Sequence, residues 1–335
     1  MPGYLSARHS PHPISLVIVA VLMLLGSPAQ AEQGDEHDAK SWLAATKQAM
    51  SHLNYQGMLA YLKDNRVESF KVFHRYADGV EQERLLSVNS PMREVIRNAD
   101  TVTCYYPDSK SMSVEVRPAR SSSLIDLPSN LSELGRYYGF MLGDTAYVAQ
   151  RLARSVSIMP LDGYRYGRRL WLDVETKLPL KYEVLDENEN VVEQMAFNSL
   201  SVEESIAPES LQPSTHFDST WKVKQHENLP ADSLSWTLDG VPGGFRMMSY
   251  SRLLKRGSDN RTIDHILLSD GLSSVSVYID QVMNEIFTAQ PRKVGAINSY
   301  TRKIDNYLVT VMGEVPEKTV QVIGDGLRKP AQGGL

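Results

Sequence analysis

YQGMLAYLKDNRVESFKVFHRYADGVEQERLLSVNSPMREVIRNADTVTCYYPDSKSMSVEVR, residues 55–117, is a series of short apolar and aromatic segments punctuated by turn residues. Runs rich in Val, Tyr, Phe and Leu are broken at Asp-Asn, Asp-Gly, Asn-Ser-Pro, Asn-Ala-Asp and Pro-Asp-Ser, the residue types that tight turns demand. The spacing predicts strands near 55–63, 67–76, 80–88, 92–98, 101–106 and 111–117. Links this short cannot cross over a sheet, so the strands form an antiparallel meander. Asp78-Gly79 is the strongest hairpin signal, because a two-residue turn of the favoured hand needs positive φ at both positions.

Upstream, Trp42, Ala45, Ala49, Met50 and Leu53 fall on one helical stripe, which predicts a helix from Ser41 packed on the sheet. Downstream, a Ser-rich, Pro-bounded stretch from Arg117 to Asn130 reads as a loop. LSELGRYYGFMLG then carries helical spacing at Leu131, Leu134, Tyr138 and Met141. Four later segments, VAQRLARSVSIMPL, YRYGRRLWLDV, PLKYEVLD and VVEQMAFNSL, read as strands completing the sheet. A meander of this length closes as a curled or partly open barrel whose concave face is covered by short helices.

IAPESLQPSTHFDST has two prolines and little apolar pattern, which is how a linker reads. The domain expectation is therefore 32–212, a linker over 213–225, and a small α+β domain over 226–330. Within that second domain, strands are expected around Phe245–Leu254, Ile263–Leu268, Ser274–Ile279 and Tyr307–Met312, then a helix opened by Pro316 with Val320, Ile323 and Leu327 on one side.

Residues 1–31 read as a cleavable signal peptide. The uncharged run ISLVIVAVLMLL, Ile14–Leu25, is too short to span a bilayer. It is followed by Gly26, Ser27, Pro28 and the small-residue pattern Ala29-Gln30-Ala31, which places the mature start at Glu32. A lipoprotein needs cysteine there. The mature chain is thus expected to be soluble in the periplasm of a Gram-negative bacterium. Its single cysteine, Cys104, cannot form an intramolecular disulfide. From residue 32 to 220, twenty Lys and Arg stand against twenty-eight Asp and Glu, giving −8; from 221 onward fourteen stand against twelve, giving +2. The second half therefore suits an acidic partner, and no dense basic block points to nucleic acid.

No nucleophile elbow, Walker loop, dinucleotide glycine pattern or zinc-type spacing is present, so no catalytic residue, metal ligand or cofactor is assigned. A His74–Cys104 pair is conceivable from strand placement, but no third group orients it. Core packing accounts for most of the many large apolar side chains in the first domain, and an apolar ligand cavity is the lesser reading.

NYQGMLAY followed by VFHRYADGVEQERLLSVNSPMREVIRNAD resembles the opening of the MucB/RseB family, periplasmic negative regulators of sigma-E-type envelope stress responses. The resemblance lies in Tyr55-Gln56-Gly57, His74, Glu83-Arg84-Leu85-Leu86 and Arg93-Glu94-Val95-Ile96-Arg97, in order. RRLWLDVETKLPLKYEVLD is similar to the family's later segment, and its Leu178-Pro179-Leu180 resembles the lipoprotein carriers LolA and LolB. The resemblance implies a LolA/LolB-like half-open β-barrel capped by helices, followed by the small domain. It further implies binding to the periplasmic domain of a membrane-spanning anti-sigma factor of the RseA/MucA type, protecting it from a DegS-type site-1 protease. Lipid or lipopolysaccharide fragments would loosen that complex; in the pseudomonad branch the sigma factor, AlgU, governs alginate production. On this reading acyl chains occupy the concave face near Leu59, Tyr61, Phe70, Val72, Tyr138 and Met141, and the partner contacts Arg246, Tyr250, Arg252 and Lys255. The alternative is a periplasmic lipid or lipoprotein carrier, and a homo-oligomer stays open.

Overall fold

A computed structural model describes residues 29–89, 92–98, 101–116, 125, 127–128, 130–224, 226–254, 262–282 and 292–329. The expected signal segment up to residue 28 and the candidate Lys255 lie outside the described residues. Helix α1 (Ala29–His52) leads into β1 (Asn54–Lys63), β2 (Arg66–Ala77), β3 (Val80–Ser87), β4 (Glu94–Asn98), β5 (Thr101–Tyr106) and β6 (Ser111–Val116). The meander is as expected. Its first two turns use Asp64-Asn65 and Asp78-Gly79, all at positive φ, the geometry that matches strand twist.

The next stretch departs from expectation. Only α2 (Leu131–Leu134) is helical; Asn130 caps it by accepting from the Glu133 N–H, and from Tyr138 the chain is strand β7 (Tyr138–Val148). Tyr138 and Phe140 point into the core while Met141 is 51 % exposed, so the real period is two. β8 (Arg151–Pro160), β9 (Gly167–Asp173), β10 (Pro179–Leu185) and β11 (Val191–Glu203) follow. β11 returns to pair antiparallel with β1, and β12 (Lys222–Lys224) adds in parallel beside β6. The twelve strands run β12-β6-β5-β4-β3-β2-β1-β11-β10-β9-β8-β7, an open order in which β12 and β7 are the edges.

Helix α1 lies across this sheet and touches β2, β7 and β8. It buries Ala39, Leu43, Thr46, Ala49 and Met50, a stripe turned about one residue from the expected one; Trp42 is instead partly buried, with Lys177 Nζ 4.0 Å from its ring centre.

The second unit holds β13 (His226–Leu229), β14 (Thr237–Leu238), β15 (Arg246–Leu254), β16 (Thr262–Ser269), β17 (Ser274–Gln281), β18 (Arg292–Val294), β19 (Ile297–Ile304), β20 (Tyr307–Gly313), α3 (Glu317–Gly326) and β21 (Leu327–Arg328). Seven of these strands make an antiparallel sheet, β13-β15-β16-β17-β20-β19-β18, with α3 packed on β19 and β20. Among the described residues no helix is long and apolar enough to cross a membrane.

Candidate functional site

Five of the six residues expected to meet acyl chains come together. Leu59 pairs across the strand with Phe70, and Gly57 with Val72, so Leu59, Phe70 and Val72 share the inward face of β1 and β2. They lie in one buried cluster with Tyr138, and Tyr61 packs against it. Gly57 is required at this crossing: a Cβ there would sit 2.4 Å from the Ser199 carbonyl oxygen of β11. Met141 does not join them, because it occupies the opposite face of its strand.

The cluster is a filled core. Ile125 and Leu127, 6 % and 4 % exposed, press onto it from the loop before α2, and Lys47 Nζ of α1 donates to the Leu127 carbonyl at 3.0 Å. The space left among Leu59, Ile125, Tyr182, Met195 and Phe197 is about 10 Å³, room for about one water. A larger groove, about 330 Å³, borders Gln56, Met58, Lys71, Phe73 and Ser199, and shares only Val72 with the expected set.

Two of the five have a polar end that leaves the core. The Tyr138 hydroxyl donates to Asp270 Oδ2 at 2.9 Å and lies 3.3 Å from Ser273 Oγ, both in the second unit. Burial and then the Asp270 charge push this phenol above its ordinary range, so it remains a donor. The Tyr61 hydroxyl donates to Glu193, whose other carboxylate oxygen accepts from the Ala296 N–H of the β18–β19 turn at 2.8 Å and from Lys63 at 3.1 Å. The polar ends of this core thus lie in the seam between units.

The centre of the seam is Arg165, whose side chain is fully buried. Its Nε donates to Asp270 at 2.6 Å, and its other nitrogens reach Asp162 and the Gly243 carbonyl. The rings of Tyr137, Tyr138 and Phe245 stand 4.7, 5.7 and 4.9 Å from the guanidinium carbon. Arginine suits this place because its planar, weakly hydrated head takes hydrogen bonds at its edge and aromatic faces on its surface. Arg168 adds a pair with Glu314 at 2.8 Å, Asn298 donates to the Tyr166 hydroxyl at 2.8 Å, and Thr319 to the Tyr164 carbonyl at 2.8 Å.

Arg84 and Glu94 build a second polar junction, one that the sequence shows only as a motif. Glu94, wholly buried, accepts from Arg84 Nε at 2.7 Å and from the N–H groups of Ser214 and Thr215 at 3.0 and 3.1 Å. Arg84 also donates to the Ser210 carbonyl at 2.9 Å. Burial alone would raise the Glu94 carboxyl, but the hydrogen bonds from Ser214, Thr215 and Arg84 outweigh it and hold it below the usual range. The segment expected to be a linker is therefore docked along β3 and β4 before it reaches β12.

The expected partner residues scatter. Tyr250 is 4 % exposed and belongs to the second core, because a bulge at Met247–Ser249 resets the alternation of β15. Arg246 pairs with Glu133 at 3.2 Å and Arg252 with Asp264 at 3.1 Å. His74 stacks on Tyr55 and lies opposite Glu83, whereas Cys104 lies opposite Val95, so the conceivable His–Cys pair does not form. Among the described residues no group of three His, Cys, Asp or Glu side chains is arranged to hold a metal.

The sigma-E factor regulatory protein RseB of Escherichia coli K12 is 27 % identical over 294 residues, spanning 84 % of this chain and 87 % of its own. The sigma factor AlgU regulatory protein MucB of Pseudomonas aeruginosa is 26 % identical over 318 residues, spanning 93 % and 98 %. The solved MucA/MucB complex of Pseudomonas aeruginosa superposes with a TM-score of 0.70 at 24 % identity over 88 % of this chain and 99 % of that one, so the fold is shared. A second solved structure, of MucB in complex with MucA(peri), gives 0.69 over 88 % and 100 %. The model of the MucB/RseB N-terminal domain matches residues 38–215 and that of the MucB/RseB C-terminal domain residues 230–328, and the chain belongs to the MucB/RseB family.

Proposed function

We propose that this chain is a negative regulator of an envelope stress response that works in the periplasm after cleavage near Ala31. It binds the periplasmic domain of a membrane-spanning anti-sigma factor and shields it from site-1 protease until lipid or lipopolysaccharide fragments release it. The supporting observation is the match of both family domains across the chain, together with a fold shared with proteins solved in complex with MucA. The relatives are named as regulatory proteins, which favours a binding role over catalysis.

On this reading residues 32–212 and 226–330 are two domains joined by 213–225. The first curls into a half-open barrel, since α1 touches strands as far apart in the sheet as β2 and β7. Acyl chains enter beside Leu59, Tyr61, Phe70, Val72 and Tyr138 by displacing what now fills that core. Exposed Arg246 and half-exposed Arg252 are the candidates for an acidic partner segment, while Tyr250 supports them from beneath. A plain carrier would have no use for the second unit or its seam. Order imposed on a bound peptide hides its cleavage site, and a ligand reverses this only through different affinities for the free and bound forms.

The test is a reconstituted digestion of the anti-sigma periplasmic domain by a DegS-type protease. This protein should slow cleavage, and added lipopolysaccharide or lipid fragments should restore it. Cleavage at the same rate with and without the protein would refute the reading.

A further inference from the structure

One apolar side chain in the first core comes from the second unit. Leu272, on the loop between β16 and β17, packs against the cluster that holds Leu59, Phe70, Val72 and Tyr138. The loop that carries it is built for the purpose. Asp270 Oδ1 accepts from the N–H groups of Leu272 and Ser273 at 2.9 and 2.7 Å, and Ser269 Oγ accepts from the Gly271 N–H at 3.0 Å. Gly271 takes φ +100°, which other residues rarely adopt, and a Cβ there would touch Pro128, next to the buried Leu127. The second oxygen of Asp270 holds Tyr138 and Arg165 of the first unit. A single carboxylate thus shapes the loop and fastens it, and Leu272 is delivered to the cluster that contains Tyr138.

We propose that the Asp270–Ser273 loop is the chain's own occupant at the mouth of the first core, and that an acyl chain enters by competing with Leu272 for that surface. The inference rests on the lipid-release reading and supplies its physical link. Ligand and loop cannot both cover the part of the apolar cluster against which Leu272 packs, because close-packed side chains leave no room for a second occupant on the same surface. Binding therefore draws on the population in which the loop is withdrawn. Apparent affinity is the intrinsic affinity scaled by that population. Withdrawal also breaks the Asp270 contacts to Tyr138 and Arg165, which loosens the seam to which the second unit is fixed.

The competition is measurable with the mature full-length protein and a dansyl-labelled undecanoic acid. Leu272→Ser removes the competing side chain, and Asp270→Asn weakens the latch while keeping the side chain's size. Each variant should bind the probe roughly three- to tenfold more tightly than wild type. Hydrogen exchange of the 270–273 amides in the wild-type protein should rise on probe binding. Asp270→Asn carries the test where Leu272→Ser fails to fold, with thermal unfolding as the check. Equal or weaker probe binding by the folded variants, against clear binding by wild type, overturns this inference alone. Absence of probe binding by wild type overturns it together with the lipid-release reading.

Discussion

In the second unit, Val275, Val277 and Ile279 of β17 and Val309 and Val311 of β20 share one core with Val320 and Ile323 of α3, and none is more than 3 % exposed. In the first unit the corresponding face is roofed by three separate pieces: helix α1, the segment carrying Ile125 and Leu127, and Leu272 from the other unit. β-branched side chains fix the first kind of core rigidly. A roof in pieces can be lifted piece by piece, each with its own modest free energy. If an acyl chain competes with Leu272, the second core is a scaffold and the first an adjustable chamber whose polar edge, at Tyr61 and Tyr138, reports its state to the seam.

The largest effect that would break this contrast lies in the scaffold. Ile323→Ala removes buried methylenes between α3 and the sheet where little can collapse, since Gly324 already sits against the Tyr300 ring. It should cost about 3 kcal/mol in denaturant unfolding and leave dansyl-undecanoate affinity unchanged. A large affinity change would mean that the scaffold is part of the chamber after all.

Next comes the docked linker. Glu94→Gln should cost about 2 kcal/mol at neutral pH, the value of a charge-assisted hydrogen bond lost with its buried partner left behind. The carboxyl's folded value lies below its unfolded one. Its stabilisation is therefore complete above the ordinary carboxylate range and disappears as pH falls through the folded value. Thermal unfolding of both proteins should show a gap at pH 7 that closes in acid; a gap independent of pH would assign the effect to packing.

The scaffold and the meander were largely legible in the sequence because strand length, turn residues and side-chain alternation are local. Asp78-Gly79 announces its own turn. The Ala149-Gln150 turn uses positive φ at both positions without Gly or Asn, so the β7–β8 hairpin gave no such signal, and Tyr138 and Met141, spaced as if continuing Leu131 and Leu134 of α2, imitated a longer helix. β19, INSYTRKI, alternates too weakly to stand out beside the edge strand. The chamber's inward residues on β1 and β2 were legible from alternation. Its roof and seam were not, because Tyr138 and Asp270 are 132 positions apart and nothing local marks either as half of a pair. Arg84 and Glu94 were visible as a motif, but the hold of Arg84 on Ser210 and of Glu94 on Ser214 and Thr215 is purely tertiary.

The smallest effect is the most discriminating. Tyr138→Phe keeps the ring in the chamber and removes only the hydroxyl that reaches Asp270, which stays paired with Arg165. The loss should be about 1 kcal/mol, a slight fall in Tm. If the roof and seam are one device, that free energy also favours the withdrawn loop, and probe affinity should rise by up to about fivefold. Tyr300→Phe is the matched change in the scaffold, where the hydroxyl donates to Asp325 at 3.0 Å within the second unit. It removes a bond of the same kind without touching the chamber, so probe affinity should stay at the wild-type value. Equal responses from the two tyrosines would show that any loss of stability opens the core, and the distinction between chamber and scaffold would fall.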